Sequence, residues 1–118
     1  MARKTNKLDC ARISKSVVEK LTSAFDIDEI ILFGSFAKGN ADENSDVDIA
    51  VISPELKPSG IMYENVRTLK EKSGILEPGL QLFGFESKTF YEEKFFDVSF
   101  IKEIKDHGKV LFRKLKTL

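Results

Sequence analysis

The chain has no tryptophan, one cysteine, one histidine and three prolines in 118 residues. With Cys10 alone there is no internal disulfide and no cysteine-rich metal site. Long apolar runs are missing too. None approaches membrane-spanning length, and the basic N-terminus lacks the apolar segment of a signal peptide, so a cytoplasmic protein is the simplest reading. Net charge is zero, but it is unevenly spread: residues 1–20 and 101–118 each carry six Lys/Arg against two acids, whereas 21–100 holds seven bases and fifteen acids. A non-specific nucleic-acid binder presents a basic surface, and this acidic middle argues against that class. The basic ends read as solvated tails. There are no repeats and no low-complexity segments.

What is present suits one domain spanning 1–118, with residues 1–7 expected to be loose. The hydrophobic share is 42%, and ten phenylalanines supply the bulk that tryptophan does not. The chain is organised around Glu29–Ser53. Ile30–Phe33 is a continuous, partly β-branched apolar run, the pattern of a strand covered on both faces. Gly34-Ser35 breaks it, Ser35–Lys38 is long enough for one helical turn, and Gly39 closes that turn. Asn40–Ser45 is almost all turn chemistry, and a second strand pattern opens with Asp46-Val47-Asp48.

Residues i and i+2 of a strand share a face, so Asp46 and Asp48 project together with Cα atoms roughly 6–7 Å apart. Neighbouring carboxylates raise each other's pKa unless a cation sits between them. Such hard oxygen donors suit Mg²⁺ or Mn²⁺, ions that also keep phosphate oxygens in their shell. A glycine turn lets backbone approach a ligand, and N–H groups at a helix start attract anions. A nucleoside triphosphate with a divalent metal fits between these two halves.

The remaining chain reads as helix Asp9–Ala24 capped by Asp9, with Ile13, Val17, Leu21 and Ala24 on its buried face and Cys10 a small buried hydrophobe near it. A second helix starts near Ser59, buries Met62, Val66 and Leu69, and stops at Gly74; Tyr63 and Arg67 share its solvent face. Leu80–Phe85 is a third strand after the turn at Leu76–Gly79. Ser87 caps a short helix over Thr89–Glu93, and Ser99 caps another through His107, with Ile101 and Ile104 inward and Gly108 as the stop. His107 then lies in a last turn, where the dipole favours a cation. Lys109–Phe112 adds a short strand.

Gly34, Ser35, Ala37, Gly39, Ser45, Asp46 and Asp48 form G-S-x-A-x-G…S-D-x-D, with ten residues between Gly34-Ser35 and Asp46. This pattern resembles the signature of the DNA polymerase β-like nucleotidyltransferase superfamily, and within it the small, antitoxin-like minimal nucleotidyltransferases. The resemblance implies an α/β (α+β) nucleotidyltransferase fold, a small mixed β-sheet flanked by helices. It implies catalytic, metal-holding Asp46 and Asp48, and triphosphate contacts from Gly34, Ser35, Lys38 and Ser45. The cofactor is then Mg²⁺ or Mn²⁺, and the substrate an NTP, with ATP favoured. The implied reaction moves a nucleoside monophosphate to a hydroxyl of a partner protein, a helical HEPN-type protein in a toxin–antitoxin pair; self-association is left open.

Members of that superfamily use a third carboxylate on a later strand, to activate the attacking hydroxyl and complete the metal site. The strand Leu80–Phe85 has no acid, and Gln81 falls at that position as a neutral ligand that accepts no proton. Glu77 reaches the site only in another register, and Glu86 lies at the far end. The competing function is therefore a catalytically lapsed nucleotide- and metal-binding partner subunit.

Overall fold

The computed structural model describes residues 7–58, 62–94 and 97–115. In chain order the elements are α1 (Lys7–Ala24), β1 (Glu29–Phe33), α2 (Ser35–Lys38), β2 (Val47–Ser53), α3 (Met62–Ser73), β3 (Leu80–Glu86), α4 (Ser87–Tyr91), α5 (Val98–His107) and β4 (Lys109–Arg113). The apolar run of β1 is buried along its whole length, as a strand covered on both faces should be. It lies inside a four-stranded sheet of order β3-β2-β1-β4. β1 pairs antiparallel with β2 and with β4, while β2 pairs parallel with β3. The sheet is therefore mixed, and α3 makes the crossover that a parallel pair requires.

Strand alternation sorts the core into two layers. On one face Ile30, Leu32, Val47, Ile49, Val51 and Leu82 meet Ile13, Val17 and Leu21 of α1 and Leu69 of α3. On the other, Ile31, Phe33, Ala50, Ile52 and Phe85 meet Phe90 of α4 and Ile101 and Ile104 of α5. Fully burying such a side chain stabilises by about 1.5–3 kcal/mol, so both helical layers are needed to hold the sheet. Gly84 lets α3 approach: a Cβ there would lie 2.9 Å from Asn65 Cβ and 3.1 Å from Leu69 Cδ1. Buried Asn65 uses that proximity to donate to Gly84 O at 3.2 Å, and it also bonds the backbone N–H and carbonyl of Lys57.

Several boundaries differ from the sequence reading. Helix α1 begins at Lys7, which puts Asp9 in the first turn and not at the cap. The cap of α4 is Glu86, which accepts from Lys88 and Thr89 N–H at 3.0 Å each. Ser87 instead donates to Asp28. Asp97, not Ser99, caps α5 by accepting from Phe100 N–H at 3.2 Å, and Ser99 donates to Asp97. In both places an acid one or two residues upstream takes the position, because a carboxylate accepts two bonds at once and favours the positive end of the dipole. The basic stretch after residue 101 is no tail: through Arg113 it forms α5 and β4. The expected start of α3 near Ser59, and the N-terminal segment before Lys7, lie outside the described residues.

Candidate active site

The C-terminal end of β1 and the N-terminal ends of β2 and β3 meet at one edge of the molecule. Antiparallel register sets Phe33 beside Asp48, and parallel register sets Gln81 on the other side of Asp48. Gly34 follows Phe33 directly, with φ 72° and ψ −152°, a conformation essentially restricted to glycine. Its Cα lies against the Asp48 carboxylate. A Cβ built on Gly34 would collide with Asp48 Oδ2 and stand 3.3 Å from Cγ. The turn and the acidic pair are therefore one site. Gly39, at φ 79°, ends α2 and donates to Ser35 O.

Asp46 is exposed just ahead of β2, and Asp48 is half-buried in it. Neither accepts a hydrogen bond or an ion pair from the described residues. Burial first, and then the charge of Asp46, push the Asp48 carboxyl up from the usual 3.8 to about 6. A cation between the two would relieve both effects. The donor types suit one hard divalent ion: two carboxylates and, on the neighbouring strand, the exposed amide of Gln81. Among the described residues no group of three His, Cys, Asp or Glu is arranged to hold a metal.

The other residues singled out by sequence are placed as follows. Ser35 is half-buried at the start of α2, and its carbonyl accepts from Asn40 N–H at 3.1 Å. Ser45 closes the preceding turn, its hydroxyl accepting from Asp42 N–H at 3.0 Å and donating to Asp42 Oδ1 at 3.3 Å. Lys38 is exposed and pairs with Glu103 of α5, whose carboxyl is held below its usual range by that hydrogen bond. Glu77 is 3.0 Å from Arg12 Nη1 on α1, the helix that covers the sheet face opposite Asp48. Gln81, not Glu77, is thus the side chain brought beside the aspartate pair. Glu86 registers with Ser53, at the far end of β3.

Sequence reasoning missed two features. Glu103 gives no motif, because its place beside α2 arises only when α5 packs on β1. Phe33, Phe83 and Phe100 stack edge to face with centroids 5.2–5.7 Å apart and back the sheet face that carries Asp48. Alternation along β1 and β3 puts Phe33 and Phe83 on that face, which was available in the pattern.

The chain belongs to the nucleotidyltransferase domain family, whose pattern it matches over residues 10–111. It is 32% identical over 85 residues to a protein of Methanocaldococcus jannaschii that carries the name of a protein adenylyltransferase, covering 70% of this chain and 76% of that one. Its fold is similar to the crystal structure of a Sulfolobus solfataricus protein named for nucleotidyl transfer, with TM-score 0.62 and 16% identity over 89% of this chain and 84% of the other. It is also similar to a toxin–antitoxin crystallised with AMP-PNP, with TM-score 0.51 and 19% identity over 86% and 73% of the two chains.

Proposed function

We propose that this protein moves a nucleoside monophosphate, with ATP as the favoured donor, to a hydroxyl of a partner protein, and that a HEPN-type toxin is the partner. The observation that carries the reading is the contact of Gly34 with Asp48, which joins a glycine-only turn to an unpartnered acidic pair. The adenylyltransferase name of the M. jannaschii relative and the AMP-PNP of the toxin–antitoxin neighbour support ATP and a protein acceptor. Among the described residues no helix is long and apolar enough to cross a membrane.

Asp46 and Asp48 would hold Mg²⁺ or Mn²⁺, with Gln81 beside them. The ion, when bound, supplies charge for the α-phosphoryl group and for the departing pyrophosphate. Gly34 gives the turn its backbone conformation and leaves room for the Asp48 carboxylate against it, and the Ser35 hydroxyl and backbone N–H groups would orient the chain of phosphates. The acceptor oxygen forms its bond to the α-phosphorus as the bond to the bridging oxygen breaks. Pyrophosphate leaves, and the hydroxyl proton passes to water, because Gln81 takes none. Positioning and electrostatics supply most of the acceleration in such a transfer.

Calorimetry with ATP tests the reading. Binding should require Mg²⁺ or Mn²⁺ and disappear in the Asp46→Asn, Asp48→Asn double variant; indifference to both removes the basis for a nucleotide site. Gln81 supports a second reading, a subunit that binds nucleotide and partner without transfer. Labelled ATP offered with the partner separates the two, since only the first reading leaves label on it.

A further inference from the structure

Lys38 is the last residue of α2, and its backbone N–H donates to Gly34 O at 3.1 Å, so it stands one helical turn beyond the glycine at the site. Its ammonium is nevertheless turned onto Glu103 Oε1 of α5. The two side chains are 42% and 39% exposed, and His107 Nε2 lies 3.8 Å from the second oxygen of Glu103. Glu103 makes no part of the core: its neighbours Ile101 and Ile104 are the buried residues of α5. An ion pair this open is weak, and a lysine on a flexible four-carbon stem changes partner readily.

We propose that Glu103 is a positioning residue for the triphosphate site proposed above. It holds Lys38 against α5 and releases it to a polyphosphate, so that Glu103 and the outer phosphates compete for one ammonium. The inference rests on that reading of Gly34, Asp46 and Asp48 as a nucleotide site. One carboxylate offers a single negative charge, whereas the β- and γ-phosphates of ATP offer several, and the exchange favours the ligand. The competition lowers affinity in proportion to the charge a ligand brings to Lys38, and so selects for triphosphate over monophosphate less sharply than a free lysine would.

The test is calorimetry on the whole chain with Mg²⁺ and, in turn, ATP, ADP and AMP. Removing the competitor with Glu103→Gln should tighten ATP binding about three-fold, the size expected for an exposed pair. ADP should gain less and AMP nothing. Lys38→Ala should weaken ATP binding, and adding Glu103→Gln to it should change nothing further. A purely structural role for Glu103 would move ATP and AMP alike, and that result overturns the inference. So does a Glu103→Gln variant that weakens ATP as Lys38→Ala does, or whose gain persists without Lys38. Unchanged binding in Glu103→Gln beside normal binding by the natural chain sinks the competition alone. No ATP binding by the natural chain sinks the nucleotide site and this inference with it.

Discussion

The two ends of β1 treat acidic side chains in opposite ways. At its N-terminal end Glu29 is buried and fully engaged: Tyr91 Oη donates to it at 2.7 Å and Arg113 Nη2 at 3.2 Å. Asp28 beside it accepts from Ser87, and Asp26 accepts from Lys114 Nζ. Burial, and then the bond to Glu29, hold the Tyr91 hydroxyl well above its usual pKa and keep it a donor. At the C-terminal end Asp48 is half-buried with only another aspartate for company. A buried charge is stable when it is paired and hydrogen-bonded, and it costs free energy when it is not. The first end is arranged for stability. The second gives stability up, and a fold tolerates that where a ligand is to supply the missing partner.

Changing the turn should break the contrast most severely. Gly34→Val adds a side chain where φ is 72° and where Asp48 Oδ2 already sits. Backbone strain of this kind costs about 1–3 kcal/mol, and displacement of Asp48 should remove ATP binding altogether. Circular dichroism must accompany the calorimetry; a folded variant with normal affinity would mean that phosphate never approaches this turn. Gln81→Glu acts in the other direction, adding charge beside Asp48 at nearly constant shape. It should tighten Mn²⁺ binding and raise any nucleotide transfer to the partner on the order of 10²-fold, the contribution of a positioned base. If that variant is silent while Glu77→Gln abolishes transfer, the third ligand comes from the Arg12-paired acid instead.

Most of this site was legible in the sequence because its geometry is local. Gly34, Ser35, Asp46 and Asp48 lie within 15 residues, and period-two alternation fixes which face Asp48 takes, although β2 begins at Val47 and leaves Asp46 just ahead of the strand it was expected to open. The placement of Gln81 needed only the assumption that the third strand pairs with the second. The sequence reading failed where partners are distant or where two residues compete for one role. Ser87 and Ser99 are good caps by type, but Glu86 and Asp97 take the positions, since each acid one or two residues upstream accepts two bonds and suits the positive end of the helix. Charge count alone made the basic C-terminal stretch a tail, whereas its apolar spacing predicted a helix with Ile101 and Ile104 inward and a following strand, and the spacing was right. Glu103 and the Glu29–Tyr91–Arg113 cluster join residues up to 84 apart, and no spacing rule reaches that far.

The stable end can be loosened without touching the site. Tyr91→Phe removes one donor from the buried Glu29 and leaves Arg113, itself 65% exposed at the side chain, to serve it alone. A buried acceptor deprived of a partner costs about 1–2 kcal/mol. A chain of this size should lose about 5 °C in Tm. ATP binding should stay unchanged, because the variant lies at the opposite end of β1. A loss of binding equal to the loss of stability would show that the two ends are coupled.

The smallest expected effect is the most direct measure of what the site end gives up. The folded Asp48 carboxyl titrates near 6 and the unfolded one near 3.8, so between those values the unfolded chain releases its proton first. The native state then binds more protons, and stability falls as pH rises through this window, levelling off above about 6. Asp48→Asn removes the ionisation. At about pH 3 and below, under the unfolded value of 3.8, it should match the natural chain, and at pH 7 it should be more stable by about 1 kcal/mol once solvent screening of a half-exposed group is discounted. Thermal melts across about pH 3–8 without divalent metal read this directly. Adding Mg²⁺ and ATP should then narrow the gap at pH 7, because the ligand stabilises only the chain that binds it. An asparagine variant that melts below the natural chain at pH 7 would mean that Asp48 stabilises the fold, and the contrast between the two ends of β1 would fail.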